Sequence, residues 1–542
     1  MRNTSSDSPL FDYDWVVIGS GFGGSVSALR LAEKGYRVAV LERGKCYKDE
    51  DLPKSTWQLS KFLWVPSIGW KGIMRMKIFR HVFFPSQSAV GGGSMVYGGV
   101  LYRARPEFFK NPQWNHLRDD WQQVLTPFYD KAEYMLGVET IKFDSTNQNI
   151  AKEMAAHFGC SDGFKRAPTG IFFGEPDKKV PDPYFGGEGP ERTGCIRCGA
   201  CMVGCRVGAV NSLSKNYLWF AEKKGVKIFP EHQVTDIKPL NASDGSDGYR
   251  VTVQTKGLFF TKKITFTTKG VVFAGGALGT NELLANCKLN GSLPNISNKL
   301  GQLVRTNSES VLNVRLPKDL KTWNDVTASS SVHIDQNTHI EFLTYGRHAD
   351  FMSLMYTVLV GNGNRLTRPL KWLWQIVRHP AQWLKTVSPI GWSQHMITLL
   401  VMQSLDNSIQ FLPKKRWFGS GYKLITKQNS DKPNPTYIDI ANQAAQWVAD
   451  YTGGVAQSNI LEAIADIPTT AHVLGGAVIG KDAAHGVIDH NLQIFGYKNL
   501  LVCDGSAMPA NPGVNPALTI TALAEYAMSK VIEPSRYPTF KS

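Results

Sequence analysis

The feature that most constrains this chain lies near its start. A continuous apolar run, Trp15-Val16-Val17-Ile18, is followed at once by Gly19-Ser20-Gly21-Phe22-Gly23-Gly24. The run lacks polar alternation, as a strand buried on both faces requires. Glycines 19, 21 and 24 satisfy G-x-G-x-x-G. In that pattern the first glycine permits the turn, the second lets backbone approach a pyrophosphate, and the third lets the helix pack on its strand. Residues 25–34 carry Val26, Leu29 and Ala32 on one helical face, Gly35 ends the helix, and residues 37–41 form a second strand closed by Glu42. The helix N-terminus would turn free N–H groups and a positive dipole end toward phosphates, while Glu42 can accept from a ribose hydroxyl. The unit predicts an α/β, doubly wound dinucleotide-binding domain. Alone it does not separate FAD from NAD.

Other stretches separate them. Residues 89–99 form a second glycine-rich loop containing Gly92, Gly93, Ser94 and Gly98. Residues 271–274 read as a buried strand entering a Gly275-Gly276 turn and a helix, and Asp504-Gly505 follows another apolar run at 500–503. So many bare-backbone loops around one cofactor exceed what a nicotinamide domain uses and predict tightly held FAD. Residues 249–255 and 258–266 alternate around Lys256-Gly257, a hairpin signal. Near the C-terminus, Asn515-Pro516 predicts a helix with Asn at the N-cap and Pro in the first turn. That helix would bury Leu518, Thr519, Ala522, Leu523 and Tyr526 and aim its positive end at a flavin edge where negative charge develops. His472 lies in Thr-Ala-His-Val-Leu-Gly-Gly and has a pKa suited to proton transfer near neutrality.

These stretches, with His232-Gln233-Val234, resemble the cholesterol-oxidase-like branch of the glucose–methanol–choline (GMC) oxidoreductase family from residue 14 to 530, apart from the middle of the chain. The resemblance implies a Rossmann-like FAD-binding domain from residues 11–112, 190–310 and 465–535, with an inserted α+β substrate domain from 113–189 and 311–464. It implies cofactor contacts at Gly19, Gly21, Gly24, Glu42, Gly92, Gly93, Ser94, Gly98, Val234, Gly275, Gly276, Asp504, Gly505, Asn515 and Pro516. Many members carry Asn where Tyr97 stands. His472 and Asn515 are the implied catalytic pair: His472 takes or positions the hydroxyl proton and Asn515 holds the alcohol oxygen while a hydride goes to flavin N5. The implied substrate is an apolar secondary alcohol such as a 3β-hydroxysterol, cholesterol for instance, oxidised to the ketone. A long-chain or terpenoid alcohol with an acceptor other than oxygen, or a flavin electron-transfer protein without a small alcohol substrate, are the alternatives. Sterol-oxidising members carry a glutamate proposed as an isomerisation base; the local match, Ser393-Gln394-His395-Met396, has no carboxylate and weighs against 3-keto isomerisation.

Cys195-x2-Cys198-x2-Cys201-x3-Cys205 has ferredoxin-like spacing but is followed by Arg206 instead of proline. Arg197 and Arg206 would favour thiolates. An iron–sulfur cluster, zinc and a metal-free turn all fit this spacing; the metal-free turn is the expectation. The formal charge of +15 suits anionic surfaces, and without a nucleic-acid module it points to lipid or to solubility. Two Trp-rich basic stretches, residues 57–80 and 365–392, suit a membrane interface. No secretory signal and no apolar span precede or interrupt the fold, so a cytoplasmic chain with peripheral membrane contact is expected.

Overall fold

The apolar run at residues 15–18 lies in the middle of a seven-stranded mixed sheet, where Val16 and Val17 have no exposed surface. The computed structural model describes residues 11–534 apart from 116, 118–119, 257–260 and 418–420. In the parallel part, Lys227–Phe229, Val38–Leu41, Tyr13–Ile18 and Thr261–Phe273 run side by side, with Ile18 opposite Leu41 on one flank and Phe273 on the other. Leu500–Val502 pairs parallel to the end of Thr261–Phe273.

Thr261–Phe273 therefore serves twice. Its first half pairs antiparallel with Tyr249–Lys256, which in turn pairs with His232–Pro239; its second half completes the parallel sheet. The sequence suggests a hairpin arm and a separate buried strand; the chain builds one strand of 13 residues. Gly257, the expected turn residue, lies outside the described residues.

The glycine helix spans Phe22–Glu33, starting three residues before the expected position because Gly23 and Gly24 are already helical. It packs against Tyr217–Lys223 and against the last helix, Ala517–Lys530, which also lies on Trp121–Leu136. A buried pair locks the helices: Arg30 Nη2 donates to Glu525 Oε1 at 2.8 Å and Tyr217 Oη to the same oxygen at 2.8 Å. Burial opposes the Arg30 charge, but Glu525 more than offsets it and raises the guanidinium pKa. Removing one partner of such a pair costs about 3–5 kcal/mol, because the other charge stays buried.

The last helix departs from the expected cap. Pro516 fills the cap position and Ala517 is the first helical residue, so the Asn515 side chain caps nothing. Its amide turns instead to Glu341. The predicted burial of Leu518, Thr519, Ala522, Leu523 and Tyr526 is found.

A second, antiparallel sheet has the order Tyr356–Val358, Val455–Asn459, Ser310–Arg315, Met396–Gln403, Thr338–Leu343, Ala328–His333, Phe164–Arg166. One face buries Leu312, Ile340, Phe342 and Ile397 under Thr146–His157 and Asp439–Thr452. The other packs Leu343 and Leu400 with Met95 and Val96 of the second glycine loop. A smaller sheet pairs Gln302–Arg305 with Leu474–Gly476, which brings the turns holding Glu309 and His472 together.

Candidate active site

A cavity of about 780 Å³ runs between the two large sheets. Its volume falls in the range of cofactor and ligand sites. Most of the expected cofactor residues line it: Gly19, Gly21, Glu42, Gly92, Gly93, Gly98, Val234, Gly275, Gly276, Asp504, Gly505, Asn515 and Pro516. Gly24 and Ser94 do not. A Cβ on Gly24 would lie 2.1 Å from the Gly19 carbonyl oxygen, so this glycine serves helix–strand packing. Ser94 Oγ donates to the Gly91 carbonyl at 2.7 Å and accepts from Leu213 N at 3.0 Å, holding the loop from behind.

The residues fit FAD. Gly19 has φ +97° and a Cβ there would meet the Ala274 carbonyl oxygen at 2.4 Å, whereas one on Gly21 would meet nothing within 4 Å and would project into open space. Backbone thus reaches the cavity at the helix start, as a pyrophosphate requires. Glu42 is buried and oriented by Ser20 Oγ at 2.8 Å and Gly44 N at 2.8 Å. Its carbonyl accepts from His232 N at 2.8 Å, which sets Val234 beside it on the neighbouring strand. Asp504 accepts from Thr280 Oγ1 at 2.5 Å and Ser506 N at 2.8 Å; burial raises its pKa despite these donors. Tyr97 fills its place with a ring and donates to the Asn211 carbonyl at 3.3 Å.

His472 and Asn515 both face this cavity, and each is held by a carboxylate that no motif announces. His472 Nδ1 bonds Glu309 Oε1, whose other oxygen accepts from Ala471 N at 2.7 Å. Burial alone would push the imidazole down; the Glu309 charge and hydrogen bond, with the Glu341 charge, override it and raise the pKa. Nε2 remains as the ring nitrogen available to a substrate hydroxyl. Asn515 Nδ2 donates to Glu341 Oε2 at 3.3 Å, and its buried Oδ1 has no protein partner. Such an atom calls for a ligand donor.

Glu341 is 1% exposed and lines the cavity. It places at the cavity a carboxylate that the 393–396 stretch lacks. One signal for it existed. In Thr338-His339-Ile340-Glu341-Phe342, two ionisable residues alternate with core residues on one buried strand. A charge at such a position demands partners.

Burial disfavours the thiolate form at three of the four clustered cysteines. Burial pushes the Cys195 thiol up to about 12 and raises Cys198 and Cys201 too. Arg197 lies over the Phe143 ring at 5.0 Å, and its charge and its backbone N–H, 3.4 Å from Cys195 Sγ, do not outweigh burial; Arg206 donates to the Glu50 and Leu52 carbonyls. Among the described residues, no group of three or more His, Cys, Asp or Glu is arranged to hold a metal ion.

Comparison with known proteins identifies the family. GMC oxidoreductase family models match residues 190–302 and 420–524, and an FAD binding domain model matches 14–47. A cholesterol oxidase of Acinetobacter baumannii is 42% identical, covering 96% of this chain and 94% of its own. One of Mycobacterium tuberculosis is 44% identical, with 96% and 91% covered. A long-chain-alcohol oxidase of Arabidopsis thaliana is 23% identical over 96% of this chain and 67% of its own. Among solved structures, pyridoxine 4-oxidase from Mesorbium loti shares the fold, with a TM-score of 0.60, 15% identity, and 95% and 99% of the two chains covered. The glycine-lined cavity, its carboxylate-held His472 and Asn515, and these relatives lead to one conclusion: the chain belongs to the GMC oxidoreductase family, in its cholesterol-oxidase-like branch, and is an FAD-dependent oxidoreductase acting on CH–OH donors.

Proposed function

We propose that this enzyme oxidises a 3β-hydroxysterol such as cholesterol to the ketone, with oxygen as electron acceptor. The observation that carries the reading is the Glu309–His472 pair facing Asn515 and Glu341 across a cavity whose wall includes Val100, Met202, Ala328, Leu343 and Leu400. These five apolar side chains share the cavity with that polar cluster, which suits a hydroxyl on a large hydrocarbon. The relatives named cholesterol oxidase support the same substrate class.

FAD, when bound, supplies the hydride acceptor. Gly19, Gly21 and the start of the Phe22–Glu33 helix would hold its phosphates and Glu42 a ribose, and Gly92, Gly93, Gly98 and the Asn515-Pro516 turn are the residues that would hold its ring. His472 Nε2 takes the hydroxyl proton as the carbinol C–H breaks, and Glu309 stabilises the imidazolium that forms. Asn515 orients the alcohol oxygen. Anaerobic mixing with cholesterol in detergent micelles tests the reading: bleaching of the flavin band is expected. Bleaching by 1-hexadecanol but not by cholesterol would move the assignment to long-chain alcohols.

Glu341 favours a second reading, isomerisation of the product. In a 3-keto-5-ene steroid the C4 protons are acidic; a carboxylate beside the ketone can take one and return it at C6, moving the double bond into conjugation without gain or loss of electrons. Growth of conjugated-enone absorbance, lost in Glu341→Gln, is the check.

A lipid surface is the proposed source of substrate. On Thr367–Arg378, Leu370, Leu373, Trp374 and Val377 are 53–67% exposed beside Lys371 and Arg378. The earlier stretch contributes less: Phe62 and Phe79 are core. Among the described residues no helix is long and apolar enough to cross a membrane.

A further inference from the structure

The rim of the cofactor cavity carries positive charge that the oxidation of an alcohol leaves unused. Arg43, the residue after Glu42, and Arg416 both line the cavity, as do Phe84, Ser86 and Gln87 of a two-stranded hairpin. That hairpin pairs Met74–Ile78 with Phe83–Gln87 and sets Arg75 opposite Ser86 and Lys77 opposite Phe84. Arg75 and Lys77, two residues apart on one strand, therefore share a face. Arg416 follows the strand Ile409–Lys415, where Lys414 stands directly opposite Lys423 of Tyr422–Gln428. Like charges placed opposite one another are destabilising.

The cations of this rim also act on one another. Burial first, then Arg43 and Arg416, push the Arg75 guanidinium down to about 10, against the opposing charge of Glu282. Burial, then Arg75, Arg416 and Lys423, lower the Lys77 ammonium in the same way. Burial lowers Arg43 as well, against Glu42 and Glu282. Both of those carboxylates are already engaged: Glu42 accepts from Ser20 Oγ and Gly44 N, and Glu282 from Arg416 Nη2 at 2.8 Å. Arg75 Nη1 is buried and has no hydrogen-bond partner, and Arg43 reaches only the Gln87 carbonyl, at a weak 3.5 Å.

A buried donor left unpaired costs free energy, and cations that depress one another add to that cost. A fold retains such a set where a ligand completes it. Three guanidiniums here come from three elements: the loop after Val38–Leu41, the hairpin strand Met74–Ile78 and the end of Ile409–Lys415. Each is a planar donor fork. A carboxylate satisfies one fork; a phosphate has enough oxygens on one centre for several.

We propose that Arg43, Arg75 and Arg416 form a phosphate-binding site at the rim of the cofactor cavity, with Lys77 and Lys423 adding charge beside them. It rests on the FAD cavity and not on which alcohol is oxidised. The Arg416 side chain is 45% exposed, so the site opens both to the cavity and to solvent. Its phosphate accordingly has two sources, the diphosphate of FAD or a phosphate group from solution.

The test uses the FAD-loaded enzyme, wild type and the variants Arg43→Gln and Arg75→Gln. Ultrafiltration in rising sodium chloride measures flavin release, and calorimetric titration with inorganic phosphate measures uptake by the holoenzyme. If FAD fills the site, both variants should release at least about tenfold more flavin than wild type at low salt. That gap should close as salt rises, because screening removes an attraction between charges, and wild-type holoenzyme should take up no phosphate. If the phosphate comes from solution, flavin stays bound, wild-type holoenzyme takes up phosphate, and both variants bind it at least about tenfold more weakly. Arg43→Gln, at a half-buried position, keeps the test decisive should Arg75→Gln fold poorly. Wild-type flavin retention in both variants with no phosphate uptake would overturn the site. So would phosphate uptake that neither variant weakens, or a flavin loss of equal size at every salt concentration, which marks a packing defect. Neither readout involves an alcohol, so failure of the sterol reading leaves the result untouched.

Discussion

His472 depends on Glu309, and the pair sets the pH at which the enzyme can work. An imidazole must be neutral to take the hydroxyl proton, and Glu309 raises its pKa above the ordinary histidine value against burial. Flavin reduction should therefore rise with pH through a value above that of a free histidine. In Glu309→Gln, burial is opposed only by Glu341, so the acid limb should move to lower pH; stopped-flow reduction across pH is the measurement, and an unmoved limb would show that another group titrates. The raised pKa also bears on stability. The pair's contribution is full below the ordinary histidine pKa and is lost as pH rises through the raised value. His472→Asn should retain FAD and slow reduction roughly 10²–10⁴-fold. Asn515→Leu should slow reduction as well, with no capping loss, because Pro516 holds the cap. At the other end of the cavity, Gly19→Ala should yield protein with little flavin: φ is +97° and the methyl would meet the Ala274 carbonyl oxygen at 2.4 Å. Absorbance ratios of the purified protein would show it.

Elements differ in how far the sequence announces them. The strand–turn–helix–strand opening was legible because an apolar run, glycine spacing, a helical face and Glu42 all agree within one short stretch. The Trp-rich basic stretch at 365–392 was legible as a composition but not as the helix Thr367–Arg378, and Trp372 within it turns inward to Thr357 Oγ1 at 2.9 Å. The long strand Thr261–Phe273 was not legible, because its two halves have different partners and neither pattern extends across the join. Glu309 and Glu341 escaped for a related reason: their partners lie 163 and 174 positions away, and no local spacing encodes such a pairing. The exposed helix face invites a direct check. Leu370→Ser with Trp374→Ser should leave turnover of detergent-solubilised alcohol unchanged and reduce sedimentation with anionic vesicles several-fold, at about 0.8 kcal/mol per buried CH₂ group lost. Equal sedimentation of variant and wild type would place the lipid contact elsewhere.

At the scale of the whole molecule, one buried carboxylate works against stability. Burial pushes Glu462 from 4.5 up to about 7, despite Arg368 and hydrogen bonds from Thr469 N and Ser310. A carboxyl with a raised folded pKa favours the fold below its unfolded value and loses that advantage as pH rises through about 7. Glu462→Gln should therefore stabilise the enzyme at pH 8 by up to about 3 kcal/mol and change little at pH 5. Thermal melts at the two pH values decide it; equal shifts would mean that Glu462 is already compensated. The same long-range wiring governs how the molecule comes into being. Arg30 waits for Glu525, 495 positions later, and Gly23 lies so near the Cys503 carbonyl that a Cβ would stand 1.5 Å from its oxygen. At about 5–20 residues per second on the ribosome, that interval lasts roughly 25–100 s. Throughout it the first apolar strand has emerged while Leu500–Val502 and the last helix do not yet exist. The nascent chain carries an unfinished nucleotide fold for most of its synthesis, so yield in a host cell should follow chaperone supply and translation speed more than the strength of the completed protein.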